Sequence, residues 1–430
     1  MILVFCVFLF LLFLGMPVAF AIGISGFCFF LYTDAIPLSI AVQKSLATTQ
    51  SFTMLAIPLF IFAGNLMNNT GITDRMMKLA HAFTGHMYGN IAQVSVVMST
   101  LMGGVSGSAT ADAAMESRIL GPEMLKLGYS RGWSAGINGL SALIVATIPP
   151  SMGLIIYGSV GEVSIGRLFA AGILPGVLMM IALMTAVSLS ARRRGYRPQQ
   201  EKMTSLAVLF RACVDGIWAL LFPVLLIVFI RYGLMTPSES GAFAIFYALF
   251  VGTVVYKELT LEKFMITLRD SIKDICAVCI ILAFSGIFGY GVVYDRMPQA
   301  IAAVMITLTN TPEFMLILVV VFLTVLGMFM ETTVIALILT PILLPVVTSV
   351  GVDPVHFGIV MMTTVTLGVM TPPMGVALFS TSMILGCSPE ETAKESIPFY
   401  AAVFTLIAIL IFFPKLVLYI PNMIFGVSMG

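Results

Sequence analysis

The chain has 430 residues, of which 60% are hydrophobic and only 10% are charged. Soluble domains carry about 25% charged residues, so this composition excludes a soluble globular enzyme, a nucleic-acid-binding protein and a disordered chain. The net charge of +1 gives no reason to expect a polyanionic partner, and the many long apolar runs predict an all-α polytopic membrane protein surrounded by lipid.

Ten apolar runs predict membrane-spanning segments, because about 20 apolar residues are needed to cross a bilayer as a helix. In chain order these runs are 1–15, 17–33, 51–68, 132–157, 164–190, 217–233, 237–256, 271–294, 353–382 and 397–420. The more polar segments 36–49 and 258–273 predict arm helices that lie along opposite membrane surfaces.

Two further apolar stretches, 90–127 and 312–350, are interrupted near their middles. The first interruption reads Gly103-Gly104-Val105-Ser106-Gly107-Ser108, and the second reads Glu331-Thr332-Thr333. Each half is then short for a crossing, so both stretches predict re-entrant helical hairpins that enter the membrane and return to the same side.

The segment 191–211 is rich in Lys and Arg and predicts a cytoplasmic loop. With the two interrupted stretches taken as hairpins, counting crossings from this loop places both chain ends outside the cell membrane. Most of the 21 Lys and Arg residues then lie inside. The exceptions are Lys44, Arg167, Arg231, Arg296 and Lys415.

The two halves of the chain resemble each other at an offset of about 223 residues. The matched positions include Gly104 with Gly327, Thr110 with Thr333, and Pro149-Pro150 with Pro372-Pro373. Because the first half starts outside and the second inside, the repeats are predicted to be inverted. Inverted repeats are typical of secondary transporters, whose binding site lies at the repeat interface near mid-membrane.

This repeat divides the chain into three parts. The first repeat, 1–195, contains scaffold helices 1–68, hairpin 90–127, broken helix 132–157 and helix 164–190. A cytoplasmic linker, 196–216, follows. The second repeat, 217–430, contains scaffold helices 217–294, hairpin 312–350, broken helix 353–382 and helix 397–420.

Paired prolines predict an unwound stretch in the middle of each long span, because proline lacks the N–H that continues a helix. Exposed carbonyls are costly in hydrocarbon, so such breaks persist beside a polar cavity or ligand. Carbonyl and hydroxyl oxygens suit sodium, and we hypothesise two sodium sites, each built from a hairpin tip and a broken helix. Their candidate ligands are Gly104, Ser106, Ser108, Thr147, Pro149 and Pro150 for the first, and Gly327, Glu331, Thr332, Gly368, Met370 and Thr371 for the second. For any single hydroxyl, a bond to its own helix carbonyl is an equally good interpretation.

The hairpin tips also carry the N-termini of half-helices, whose positive dipole ends favour an anion. A carboxylate substrate between the two tips follows from this arrangement. The candidate substrate residues are Ser108, Thr110, Asp112, Thr332 and Thr333. Asp112 and Glu331 could instead hold sodium or bind the hairpin backbone, whereas Glu116 and Arg118 are expected to form an ordinary ion pair near the cytoplasmic surface.

Four sequence stretches carry a family resemblance, one each in a scaffold helix, the first hairpin tip, the first break and the second hairpin. They are Ile57-Pro58-Leu59-Phe60-Ile61-Phe62-Ala63-Gly64-Asn65-Leu66-Met67, Gly104-Val105-Ser106-Gly107-Ser108-Ala109-Thr110-Ala111-Asp112, Ile148-Pro149-Pro150-Ser151 and Leu339-Thr340-Pro341-Ile342-Leu343-Leu344-Pro345. With these stretches the chain resembles the large membrane subunit of TRAP (tripartite ATP-independent periplasmic) transporters, most closely the sialic acid members. The likeness covers essentially the whole chain.

The resemblance implies sodium-driven import of a carboxylate, sialic acid or a C4-dicarboxylate, across the bacterial inner membrane. It implies two partners, a small four-helix membrane subunit, expected here as a separate chain, and a periplasmic substrate-binding protein. It also implies an elevator-type mechanism, in which hairpins and broken helices slide against a scaffold, as in divalent-anion/sodium symporters. Sodium is the expected coupling ion, and no other metal or cofactor is expected.

Three other functions remain as alternatives. A stand-alone sodium/anion symporter would need no binding protein. An intramembrane enzyme would need a nucleophile or metal cluster at membrane depth, and the three histidines, His81, His86 and His356, all lie near predicted interfaces. A channel is disfavoured because the hairpins cap both breaks, an arrangement that suits occlusion of a ligand.

Overall fold

The protein is described by a computed structural model, which covers residues 2–33, 36–50, 52–103, 107–200, 204–309 and 311–426. Within these ranges all of the regular structure is helical, which confirms the predicted all-α class. The first five helices are α1 (Ile2–Phe13), α2 (Val18–Tyr32), α3 (Ser39–Thr49), α4 (Ala56–Asn68) and α5 (Ile72–Thr84).

The N-terminal helices are shorter than the predicted spans. Helix α1 has 12 residues and α2 has 15, and Pro17 precedes the first turn of α2. The predicted span 51–68 begins with a 3₁₀ turn at Phe52–Leu55, so that α4 has only 13 residues. At 1.5 Å per residue these helices reach about 18–23 Å, which is less than the ~30 Å hydrocarbon core.

The first interrupted stretch and the first proline pair both coincide with helix ends. The helices of this region are α6 (Asn90–Met102), α7 (Ala109–Ile119), α8 (Gly121–Lys126), α9 (Arg131–Ser141), α10 (Met152–Val160) and α11 (Ile165–Arg194). A 3₁₀ turn, Ala142–Ile144, extends α9, and the next helix starts only after the Pro149-Pro150 pair, whose peptide bond is cis. Residues 104–106, at the tip of the stretch, lie outside the described ranges.

The middle of the chain differs from the sequence prediction in two respects. Its helices are α12 (Leu206–Asp215), α13 (Ile217–Arg231), α14 (Pro237–Phe250), α15 (Leu261–Tyr294) and α16 (Met297–Leu308). The predicted linker 196–216 contains α12, which meets α13 at a bend of 61°. The arm 258–273 and the span 271–294 form one continuous helix of 34 residues, α15, because no proline or glycine interrupts the chain where they join.

The last third of the chain repeats the pattern of interrupted helices. Its helices are α17 (Pro312–Gly327), α18 (Thr332–Ser349), α19 (Pro354–Gly368), α20 (Val376–Leu385), α21 (Pro389–Glu395), α22 (Ile397–Phe412) and α23 (Pro414–Phe425). The break between α19 and α20 contains Pro372-Pro373, also joined by a cis peptide bond. The predicted helix 397–420 divides into α22 and α23 at Pro414, which cannot continue the hydrogen bonds of the helix before it.

Few of the described helices are long enough to cross a membrane alone. By length and composition four qualify in the described ranges: α11, α14 with its π turn, α15 and α18. Two bent pairs, α12–α13 and α21–α22, raise the number to six. The expectation that both halves of stretch 312–350 are too short is therefore wrong for α18, which has 18 residues. The other predicted spans are shorter apolar helices or broken pairs in a multi-pass membrane protein.

Helices α17 and α19 pack against each other, and two glycines are in close contact between them. A β-carbon built on Gly368 would lie 2.5 Å from the Cα of Gly327, and one on Gly327 would lie 2.8 Å from the Cα of Gly368. Both obstacles are backbone atoms, which cannot rotate away. The two helices therefore pack at a distance that only glycine permits at these positions.

We expect Gly368→Ala to lower the melting temperature of the purified protein, because overpacking of this kind costs about 1–3 kcal/mol. The matched control is Gly289→Ala in α15, where a β-carbon meets no atom within 4 Å. The control should be neutral or slightly stabilising, since alanine is the better helix former. Equal melting temperatures for Gly368→Ala and the control would show that α17 and α19 can move apart without a loss of stability.

Candidate functional site

A cavity of about 480 Å³ lies where both interrupted stretches meet the helices α4 and α15. Its walls come from the tip before α7, the tip before α18, the break before α10, and one face each of α4 and α15. The described lining residues are Ile61, Asn65, Gly107, Ser108, Ala109, Thr110, Ala111, Ala146, Met152, Gly153, Asp274, Ala277, Val278, Ile281, Glu331, Thr332 and Thr333. The cavity thus joins segments that are more than 200 residues apart in the chain.

Two helix N-termini border this cavity. Ser108 precedes α7 in an extended conformation (φ −120°, ψ 110°), and Glu331 precedes α18 in another (φ −74°, ψ 149°). Neither end is closed by a side-chain hydrogen bond from its cap residue. The first N–H groups of a helix have no partner within the helix, so both tips offer backbone donors and a positive dipole end.

The polar side chains among the described lining residues are hydroxyls, acids and the amide of Asn65, and the rest of the lining is apolar or glycine. Glu331 and Asp274 are the two acids, and the Thr333 hydroxyl donates a hydrogen bond to Glu331 Oε1 at 3.3 Å. No Lys, Arg or His occurs among the described lining residues. The binding of an anion in this cavity would therefore be stabilised by the helix ends, by hydroxyl groups and by any cation that accompanies the anion.

The structure brings most of the predicted substrate residues together. Ser108 and Thr110 from the first tip face the same space as Thr332 and Thr333 from the second. Asp112 does not line the cavity, because it is 1% exposed and lies one turn into α7. Of the predicted sodium ligands, Ser108, Glu331 and Thr332 also line it, whereas Gly104 and Ser106 lie outside the described residues.

The predicted sodium ligands at the breaks are not among the described lining residues. The Thr147 and Thr371 hydroxyls donate to the carbonyls four residues earlier, at 3.2 and 2.8 Å. A hydrogen bond to a carbonyl of its own helix was the alternative to sodium binding for each of these hydroxyls. The Met370 carbonyl accepts a hydrogen bond from the Tyr400 hydroxyl at 2.5 Å. These groups already have protein partners.

The remaining predicted ligands shape the backbone around the breaks. The Pro150 carbonyl oxygen lies 2.8 Å from the position of a β-carbon on Gly107, so the first break touches the first tip directly. Its neighbour Pro149 belongs to the same cis pair. Gly327 and Gly368 form the close contact of α17 with α19. Their role in sodium binding stays a prediction.

The expected ion pair of Glu116 with Arg118 is wrong. Glu116 is fully buried, and its carboxylate accepts hydrogen bonds from three serine hydroxyls: Ser95 at 2.5 Å, Ser99 at 2.6 Å and Ser141 at 3.0 Å. Arg118 is exposed on the other side of α7. The serines lie on α6 and α9, so this carboxylate joins both arms of the first interrupted stretch to the broken helix.

Sequence reasoning also missed Asn65 and Asp274 as cavity residues. Asn65 on α4 donates from Nδ2 to Asp274 Oδ2 at 2.9 Å and to Ser271 Oγ at 3.2 Å. A polar residue inside each of two apolar runs was the available signal. This signal does not indicate that the two runs are neighbours, because their contact depends on the packing of α4 on α15.

Comparison with known proteins gives a consistent result. The family model for the "Tripartite ATP-independent periplasmic transporter, DctM component" matches residues 5–416. A sialic acid TRAP transporter large permease from Vibrio cholerae is 36% identical, covering 97% of each chain. A 2,3-diketo-L-gulonate TRAP transporter large permease from Escherichia coli is 33% identical, covering 94% of this chain and 95% of that one.

A solved transporter structure is similar to this chain in fold. The YdaH transporter from Alcanivorax borkumensis matches with a TM-score of 0.60 and 12% identity, over 86% of this chain and 87% of the other. At this identity the likeness concerns the fold alone.

We expect Glu116→Leu to destabilise the protein by about 1–3 kcal/mol, because buried hydroxyls would lose their acceptor. Glu116→Gln is the matched control, since its amide oxygen can still accept hydrogen bonds from the serines. This variant should lose less stability than Glu116→Leu. The measurement is the melting temperature of the purified protein. A Glu116→Leu variant as stable as the Gln variant would contradict a structural role for these bonds.

Proposed function

This chain belongs to the DctM component family of tripartite ATP-independent periplasmic transporters, and on that premise we propose that it imports a small carboxylate by coupling to sodium. The observation that carries the proposal is the cavity bordered by two helix N-termini and hydroxyl side chains. Family membership identifies the chain as a component of a transporter. The groups that line the cavity support a carboxylate as the transported substrate.

A carboxylate suits this cavity for an electrostatic reason. Backbone N–H groups and the positive ends of α7 and α18 attract an anion, and the hydroxyls of Ser108, Thr110, Thr332 and Thr333 can donate to it. Because the described lining has no basic side chain, the remaining compensation has to come from elsewhere. A co-transported cation next to the tips would supply it.

Sodium is the cation that we propose. Hard oxygen donors are concentrated at the tips and the breaks, in the two ligand sets proposed from the sequence. Glu331 gives the second set a carboxylate beside the cavity. Bound sodium would thereby raise the affinity for the substrate anion, and the anion would raise the affinity for sodium. This reciprocal effect couples the transport of the substrate to the transport of sodium.

Movement of the cavity follows, in our proposal, an elevator mechanism. The hydroxyl-bearing tips belong to the interrupted stretches, whereas Asn65 and Asp274 belong to α4 and α15. The cavity therefore lies on the boundary between two groups of helices. Sliding of the tips and broken helices along α4 and α15 would carry the substrate from one side to the other.

The substrate and partners are proposed from the relatives and the resemblance. A sialic acid is favoured, because the relative from Vibrio cholerae is named a sialic acid permease, and a C4-dicarboxylate is the second candidate. We propose that a periplasmic binding protein delivers the substrate, that a small four-helix membrane subunit accompanies this chain, and that the assembly lies in a bacterial inner membrane with both ends of this chain periplasmic.

The decisive experiment is uptake into proteoliposomes that contain this chain and a candidate small subunit. We expect uptake of labelled N-acetylneuraminate only with an inward sodium gradient and an added binding protein, and none with a potassium gradient. Equal uptake without a binding protein would favour the stand-alone symporter. Uptake at the same rate with and without a sodium gradient would refute the proposed sodium coupling.

In the same assay we expect Thr333→Ala to raise the sodium concentration for half-maximal uptake, by about tenfold, because one oxygen donor next to Glu331 is lost. Thr324→Ala is the matched control. Its hydroxyl donates to the Val320 carbonyl at 2.8 Å, on the preceding helix and outside the cavity lining. An unchanged sodium dependence in Thr333→Ala would show that the Thr333 hydroxyl is not a sodium ligand.

A further inference from the structure

The wall of the cavity that α15 forms carries an acidic group. Asp274 lies on α15, is exposed to the cavity, and is positioned by the Asn65 amide on α4 at 2.9 Å. The buried Ser271 hydroxyl accepts the second hydrogen bond of that amide at 3.2 Å. The orientation of the Asn65–Asp274 pair is thus fixed by two contacts between α4 and α15.

Asp274 and Glu331 are the two acids of the described lining, and Glu331 stands at the second tip, where the proposed sodium ion would compensate its charge. At the tips, backbone donors and positive helix ends favour an anion. On α15, the Asp274 carboxylate has no basic partner, since Asp274 forms no ion pair among the described residues. The tips therefore accept a negative group, and the wall formed by α15 accepts a hydrogen-bond donor.

We propose that Asp274, held by Asn65, selects substrates whose end remote from the carboxylate carries hydroxyl, amide or ammonium donors. The transported class is then a polyhydroxylated monocarboxylate, such as a sugar acid, in preference to a dicarboxylate. This inference rests on the proposed function of the cavity, because it assumes that a carboxylate binds at the tips.

Two physical effects separate the ligand classes. A hydroxylated ligand donates to the Asp274 carboxylate, and such charge-assisted hydrogen bonds are about twice as strong as neutral ones. A dicarboxylate instead brings a second negative charge toward the same oxygens, which opposes binding. Sites built to bond a polar group discriminate strongly against ligands that leave it unpaired, so we expect a preference of at least about tenfold.

The test is binding to the full-length protein, purified in detergent with saturating sodium chloride, measured by calorimetry. The probes are the monocarboxylates N-acetylneuraminate, 2,3-diketo-L-gulonate and gluconate, and the dicarboxylates succinate, malate and glucarate. Gluconate and glucarate form a matched pair, because they differ in one terminal carboxylate. We expect the tightest ligand to be a monocarboxylate, at least about tenfold ahead of every dicarboxylate.

Asp274→Asn should reduce this preference about tenfold or more, by weakening the monocarboxylates and relieving the repulsion of glucarate. Asp270→Asn is the matched control. It lies one turn earlier on α15, pairs with Lys273 at 3.1 Å and does not line the cavity, so its ligand ranking should equal that of the unchanged protein.

A dicarboxylate as the tightest ligand, or the same ranking in Asp274→Asn as in Asp270→Asn, would overturn this inference and leave carboxylate binding intact. Absence of binding by every probe in sodium would instead count against the proposed function itself. The melting temperatures of both variants are measured alongside, and since both side chains are exposed they should remain unchanged.

Discussion

Every interrupted helix in an apolar environment has backbone groups that need a partner, because hydrocarbon offers none. Both breaks meet this demand within the protein. The Ser151 hydroxyl donates to the Ala146 carbonyl at 2.5 Å, and the Met152 N–H donates to the Gly107 carbonyl at 3.4 Å. At the second break the Tyr400 hydroxyl donates to the Met370 carbonyl. The breaks are therefore packed and bonded, and the cavity forms next to them.

This constraint explains why the first interrupted stretch carries so much buried polarity. Glu116 and its three serines bond α6, α7 and α9 into one unit. The positions about 223 residues later hold Leu318, Phe322, Leu339 and Thr364, and the Thr364 hydroxyl donates to the Val360 carbonyl of its own helix at 2.7 Å. There the close approach of α17 to α19 at two glycines takes the place of hydrogen bonds. Two chemically different contacts thus join the two interrupted stretches to their broken helices.

The sequence predicted those features that depend on local chemistry. Proline pairs predicted the ends of α9 and α19, and the interruptions at Gly103–Ser108 and Glu331–Thr333 predicted the ends of α6 and α17. The internal repeat predicted the grouping of Ser108 with Thr333. Features that depend on packing were not predicted. The burial of Glu116, the continuity of α15 and the meeting of Asn65 with Asp274 all require knowledge of which helices are neighbours, which a single sequence does not contain.

The uninterrupted course of α15 has a mechanical consequence. At 1.5 Å per residue its 34 residues form a rod about 50 Å long, and Asp274 lies less than halfway along it. A rod without a hinge transmits tilt from one end to the other. Lipids that change the inclination of its polar first turns, through bilayer thickness or surface charge, therefore also shift the carboxylate that faces the cavity.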